Sequence, residues 1–173
     1  MPESRNSRWW TSTSKRNFVV VPLLVLLEQP IRSTPLRPSG LLPMGIGLLL
    51  YRLAGRYRHG LAGGGSGLSG PPPDRLVTTG IYSLTRNPMY SGHLVYLAGL
   101  TVLTSSPSAF AYTLANVPWF HARVRRDERN LLERFGEPYA RYLTEVPRWG
   151  VSPARLTAGR PSRLLRSAHC RTR

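Results

Sequence analysis

The chain has 173 residues, few enough for one domain, and carries 24 Lys and Arg against 8 Asp and Glu, a formal net charge of +16. So basic a balance excludes an acidic surface and suits nucleic acid or the anionic face of a membrane. A single cysteine, Cys170, excludes an internal disulfide, and nothing in the cysteine content indicates an oxidising compartment.

Mean hydropathy is only −0.22, yet the apolar residues gather in four blocks, with arginine at both ends and in the middle connector. Residues 1–16 form a basic leader, with Arg5, Arg8, Lys15 and Arg16 around Trp9 and Trp10. Tryptophan beside cations is common at a membrane–water boundary, and a disordered leader fits the composition equally well. Residues 17–27 are the first apolar block. They imitate a signal peptide, but Glu28-Gln29-Pro30 follows where small residues would mark a cleavage site. The block is short for a span and is read as a first membrane helix, bent at Pro22.

Residues 31–40 read as a turn with Pro35 and Pro38, and residues 41–54 as a second apolar helix ending in Arg52, Arg56 and Arg58. The two blocks make a helical hairpin. Residues 60–73 are Gly/Ser-rich and then Pro-rich, the composition of a linker. Gly65 to Gly70 formally matches G-x-G-x-x-G, but no strand precedes it and three prolines follow, so a dinucleotide fold finds no support.

Residues 88–106 are the third block and the best span candidate, interrupted by only two strongly polar residues, Ser91 and His93. Ser105, Ser106 and Pro107 form an uncharged turn into the fourth block, residues 108–124. The leader, the 52–87 connector and everything after Arg123 are basic, whereas the 104–108 turn has no charge. Four spans with both termini cytosolic satisfy the positive-inside tendency, although Arg32 and Arg37 in the 28–40 loop run against it. No strand-like alternation occurs. The expected fold class is therefore all-α: a polytopic membrane protein of about four transmembrane helices over residues 17–150, with a short C-terminal amphipathic helical region. Residues 151–173 hold six arginines and no acid, and read as a disordered tail resting on anionic lipid.

Two stretches carry chemistry. Residues 76–90 read L-V-T-T-G-I-Y-S-L-T-R-N-P-M-Y. Gly80 permits a sharp turn, Asn87 suits a helix N-cap and Pro88 fits the first helical turn. The unpaired amides of such a helix start favour an anion. Residues 123–149 hold five of the eight acids, Asp127, Glu128, Glu133, Glu137 and Glu145. Arg123 and Asp127 are spaced i, i+4 and would share a helix face. Leu131, Leu132 and Phe135 give that helix an apolar side, Gly136 stops it, and Glu137-Pro138 starts another. On physical grounds alone, a solvated amphipathic helix with weak surface ion pairs accounts for this pattern too.

The first stretch, with Leu76-Val77, Gly80, Tyr82 and Arg86-Asn87-Pro88-Met89-Tyr90, resembles the signature of the isoprenylcysteine carboxyl methyltransferase family and the related phospholipid methyltransferase-like proteins of bacteria. Asp127-Glu128, Leu131, Phe135-Gly136, Tyr139, Tyr142 and Val146-Pro147-Arg148 match the second signature, in order. The resemblance covers residues 74–150. It implies an integral membrane enzyme that uses S-adenosylmethionine at the cytosolic face, in a bacterial cytoplasmic membrane, to methylate a lipophilic or prenylated acceptor entering from the bilayer. Carried over by position, Asp74, Arg75, Leu76, Val77, Tyr82, Asn87, Pro88, Met89, Tyr90 and Asp127 would line the cofactor pocket. Arg123 would meet the substrate, and Arg123, Glu128 and Tyr90 would carry the catalytic roles. Asn87 stands where the carboxyl methyltransferases have histidine, and Asp127 where they have the first glutamate, so the acceptor is open among an isoprenoid acid, a phospholipid amine and another lipophilic nucleophile. An amine acceptor would need a base, which Glu128 or Tyr90 could supply.

His93 reads either as a residue facing the cofactor or as a packed polar residue between helices, the latter favoured, and His121 as an interfacial anchor. His59 and His169 look inert, and no spacing suggests a metal site. Cys170 lies fourth from the end, but C-R-T-R lacks the aliphatic residues of a prenylation box. The competing functions are a non-catalytic membrane protein that keeps the fold and a nucleic-acid-binding protein, which the placement of the charges around apolar blocks disfavours. No protein partner is evident.

Overall fold

A computed structural model describes residues 12–64, 68 and 73–151. The leader's Arg5, Arg8, Trp9 and Trp10, half of the connector with all but Leu68 of its glycine motif, and the tail with His169 and Cys170 lie outside those residues. Among the described residues every regular element is helical, as expected for an all-α chain.

The first helix, α1, runs on through three stretches: Thr13–Lys15, a π-helical stretch Arg16–Val20, and Val21–Arg32. Pro22 explains the change of winding. It has no N–H for the carbonyl four residues back, and its ring crowds that carbonyl. The freed oxygen belongs to Phe18, and the Tyr96 hydroxyl donates to it at 3.5 Å. The expected bend at Pro22 thus takes the form of a wider turn just before the proline.

Helix α2 covers Leu41–Ala62, well past the apolar block that suggested it, because Arg52, Arg56 and Arg58 remain helical. Helix α3, Pro88–Thr104, lies antiparallel to it. Glycines make the contact possible. A Cβ on Gly47 would sit 2.5 Å from the Gly92 carbonyl, and one on Gly99 would sit 2.8 Å from the Gly40 carbonyl. The backbones therefore touch directly at two levels, one on each side of a seven-residue interval, as small residues allow in lipid-embedded helix pairs.

Helix α4, Pro107–Phe135, continues without a break from the fourth apolar block into the charged stretch. Ser105 takes a left-handed conformation (φ 48°) and Ser106 caps α4, accepting from the Ala109 amide at 3.3 Å. At this end α1 is tied in by polar groups. Gln29 Nε2 donates to the Thr104 carbonyl at 3.0 Å, and Glu28 accepts from Ser106 at 2.9 Å and also from Ser108. Between the two ends, Val21 and Val25 of α1 pack with Leu97 and Leu100 of α3 and Ala109 of α4. Gly136 then breaks the chain at φ 58°, and α5 follows at Glu137–Glu145.

Among the described residues no helix is long and apolar enough to cross a membrane. The most apolar one, α3, has 17 residues, about 26 Å at 1.5 Å per residue, a little under a hydrocarbon core of about 30 Å. Charge interrupts α2 and α4. The outer faces of α1 and α2 are nonetheless apolar, with Leu23, Leu24, Leu27, Ile31, Leu42 and Leu49 exposed.

Candidate functional site

The two signature stretches meet at the end of the bundle opposite Ser105. Gly80, at φ 59°, turns the chain into a 3-10 turn at Gly80–Ser83, and Pro88 opens α3. Asn87 does not cap α3 with its side chain as expected. Its amide donates instead to the Arg148 carbonyl at 3.3 Å, and the Arg86 amide donates to the Pro147 carbonyl at 3.0 Å. Residues 146–149 after α5 thus fold back as a strap across the start of α3. Trp149 extends the strap to α4, donating from Nε1 to His121 at 3.4 Å.

Arg123 and Asp127, one turn apart on α4, form no direct ion pair. Both meet the hydroxyl of Tyr90, which donates to Asp127 Oδ2 at 2.5 Å and accepts from Arg123 Nε at 3.2 Å. Arg123 Nη2 also donates to the Leu68 carbonyl at 3.2 Å. Behind them, Tyr90 packs with buried Phe120 and Val124.

Glu128 points to other partners. It is buried and takes a forked pair of bonds from Arg148, 2.7 Å from Nη2 and 3.0 Å from Nε to Oε2, with Arg86 Nη1 3.5 Å from Oε1. A carboxylate held by two guanidiniums is an ion-pair partner. These partners compete with the role of base expected of Glu128 toward an amine acceptor. The same bond raises the pKa of Arg148. Tyr139 is held above its ordinary value by burial and by the charge of Glu128. Tyr82, whose hydroxyl donates to the Ala54 carbonyl at 3.3 Å, is pushed up to about 12 by burial, with Arg58 opposing. Both phenols stay neutral across the physiological range.

These groups surround a cavity of about 310 Å³. Leu76, Val77, Tyr82, Asn87, Pro88, Met89, Tyr90, Arg123, Asp127 and Glu128 all line it. Asp74 and Arg75 do not. Asp74 is 72% exposed and lies 3.6 Å from Arg134, while its amide donates to the Ala62 carbonyl, continuing the chain from α2; Arg75 is exposed. The walls also include Arg58, Arg86, Asn130, Leu131, Tyr139 and Tyr142. Sequence reasoning assigned these six no site role, although the two signatures contain Arg86, Leu131, Tyr139 and Tyr142. The available signal was the acid at Glu128, since a buried carboxylate requires a cation nearby.

His93 stays outside the cavity. It is fully buried, with Phe18, Tyr51 and Phe120 rings 4.4, 4.7 and 5.5 Å away, and its Nδ1 donates to the Met89 carbonyl at 3.2 Å. This is the packed position that was favoured.

The phospholipid methyltransferase family model matches residues 40–137, more than half of the chain. The chain belongs to the phospholipid methyltransferase family. Its curated relatives include the protein-S-isoprenylcysteine O-methyltransferase of Xenopus laevis, 40% identical over 73 residues, which are 42% of this chain and 25% of the relative. The Arabidopsis thaliana protein-S-isoprenylcysteine O-methyltransferase B is 36% identical over 74 residues, 42% of this chain and 38% of that protein. The human protein-S-isoprenylcysteine O-methyltransferase is 34% identical over 73 residues, 42% of this chain and 26% of that protein. These matches span well under half of each relative's length. No solved structure matches the chain. Within the family region lie α2, α3, the whole of α4 and the Tyr90, Arg123, Asp127 and Glu128 side chains; α1 and the strap fall outside it.

Proposed function

We propose that the protein is an S-adenosylmethionine-dependent methyltransferase of lipophilic acceptors, embedded in a membrane with its site at the cytosolic face. The observation that carries the reading is the convergence of Tyr90, Arg123 and Asp127 on one hydroxyl at the wall of the 310 Å³ cavity, a volume in the range of small-molecule sites. The donor set suits the cofactor. Asp127 and the Tyr90 oxygen offer acceptors for its cationic groups. Arg86 Nε, buried and without a partner among the described residues, offers a donor for its carboxylate, as do the first-turn amides of α3. When bound, the cofactor supplies an activated methyl group.

The protein's own contribution is then placement. Val77, Pro88 and Met89 give the cavity an apolar wall, Tyr90 fixes the Asp127 carboxylate, and Arg123 reaches toward an anionic or polar acceptor. A carboxylate acceptor needs no base, so positioning accounts for most of the rate. The apolar outer faces of α1 and α2 supply the membrane contact. Four helices lying together, with their polar ends tied by Glu28, Gln29 and Ser106 at one side and by the site at the other, would sit in the bilayer with both termini cytosolic.

Purified full-length protein in detergent is expected to bind S-adenosylmethionine and to transfer its labelled methyl group to a component of a lipid extract. No cofactor binding at millimolar concentration would end the methyltransferase reading. Release of the protein from membranes by carbonate washing would end the embedded one.

A further inference from the structure

The strap of residues 146–149 meets α4 along one face. His121, Val124 and Glu128 stand at i, i+3 and i+7 and share that face. Arg148 closes on Glu128 at one end, and Trp149 reaches His121 at the other, its Nε1 donating to Nδ1 at 3.4 Å. The indole also packs, with Leu68 and Leu94, against buried Tyr90, Phe120 and Val124. The strap's carbonyls hold its other side. That of Pro147 accepts from the Arg86 amide at 3.0 Å, and that of Arg148 accepts from the Asn87 side chain at 3.3 Å. Arg86 and Asn87 both line the cavity.

The two fastenings differ in kind. The guanidinium of Arg148 is charged at every physiological pH. An indole N–H, by contrast, can only donate, so its bond needs the Nδ1 lone pair of a neutral imidazole. The two rings lie 25° from coplanar, close to the arrangement in which an in-plane N–H meets an in-plane lone pair. In the neutral imidazole the proton is therefore on Nε2. A second proton goes to Nδ1, and two N–H groups then face each other.

His121 is half-buried, within reach of protons. Its own helix presents Arg125 one turn further on, the strap presents Arg148, and α3 presents Tyr90, whose hydroxyl is taken by Asp127 and Arg123. Among the described residues no carboxylate lies within ion-pair distance of the imidazole. An imidazolium thus gains no ion pair in exchange for the lost bond. Its attraction to the indole is weak as well, because the ring centres are 6.4 Å apart, beyond the reach of about 6 Å for a cation–π contact.

We infer that the Trp149–His121 bond is a proton-sensitive latch on the strap: neutral His121 keeps the strap closed and so positions Arg86 and Asn87 at the cavity, and protonation releases it. Neither His121 nor Trp149 lines the cavity; both act through the strap, as positioning residues. The inference rests on the methyltransferase reading only for its effect on cofactor binding.

The test is hydrogen exchange of the Arg86 amide in the purified full chain in detergent, read by mass spectrometry and corrected for the chemical exchange rate. It is run at about pH 8 and at about pH 5, the ends of the range in which imidazole titrates. A closed strap protects this amide through the Pro147 carbonyl. Acidification lowers wild-type protection about fivefold, the loss of one neutral hydrogen bond. Trp149→Phe keeps a ring but no donor, and shows the lower protection already at the higher pH. His121→Asn puts an acceptor that does not titrate near the place of Nδ1, and keeps the higher protection at both pH values. Unchanged protection in acidified wild type overturns the latch, as does full protection in Trp149→Phe. An equal fall in His121→Asn and wild type overturns it by assigning the pH dependence to another group. A rise on acidification overturns it in favour of a cation–π contact. S-adenosylmethionine affinity, measured on the same samples, follows the protection; affinity that stays constant while protection falls overturns the positioning role. Protection that responds as stated, with no cofactor binding at either pH, counts against the methyltransferase reading alone. Cofactor binding with protection that ignores His121 counts against the latch alone.

Discussion

Tyr90 and Asp127 are joined by a hydrogen bond of 2.5 Å between the first turn of α3 and the long helix α4, and Arg123 donates to the same phenol. One hydroxyl thereby sets the position of both a carboxylate and a guanidinium. Tyr90→Phe keeps the ring packed on Phe120 and removes only that link. It is expected to weaken S-adenosylmethionine binding about tenfold, the loss of a hydrogen bond to a charged group, as measured by calorimetry. Asp127→Ala weakens it at least as much. Arg123→Ala leaves cofactor binding close to wild type and raises the acceptor KM. Identical behaviour of the three variants and wild type would show the roles to be misassigned.

Glu128 is predicted to act through structure. In Arg148→Ala the buried carboxylate keeps only Arg86, at 3.5 Å. The loss is about 1–3 kcal/mol, moderated because the Arg148 side chain is partly exposed. Thermal unfolding in detergent reads this directly. Arg148→Lys, with charge but no fork, recovers part of it. If Arg148→Ala unfolds at the wild-type temperature, the strap carries no stability.

The glycine contact between α2 and α3 predicts a sharp contrast. In Gly47→Ala the new methyl meets the Gly92 carbonyl and the Tyr96 amide, both 2.5 Å away. Rigid backbone cannot yield, and a loss of about 3 kcal/mol or failure to fold is expected. Gly45→Ala, two residues away, meets nothing within 4 Å and is expected to stabilise the helix by up to about 1 kcal/mol. Thermal unfolding of the two variants in the same detergent checks both signs.

Alkaline stability follows from Tyr82. Burial raises its folded pKa from 10.0 to about 12, so the unfolded chain loses this proton first. Its contribution is fully present below pH 10 and disappears as pH rises toward 12. Tyr82→Phe should flatten the fall in stability across that window in unfolding curves taken at successive pH values. An unchanged slope would count against a buried neutral phenol.

Local pattern alone made the helices, the stops at Gly136 and Ser105, the start at Pro88 and the two signature stretches legible, because each depends on neighbours in sequence. The resemblance of those stretches to the methyltransferase signatures, and not local pattern, implies that Val77, Asn87–Tyr90, Arg123 and Asp127 share a site. Partner choice was hidden, since it is decided between helices: Tyr90 stands between Arg123 and Asp127, Glu128 is claimed by Arg148 and Arg86, and Asn87 serves the strap instead of the α3 cap. The resemblance implies Asp74 as a pocket residue, yet the turn after Ala62 directs it outward. The approach of Gly47 to Gly92 was invisible for the same reason. A seven-residue interval on two separate helices acquires meaning only when their backbones touch, and that contact is made by tertiary packing.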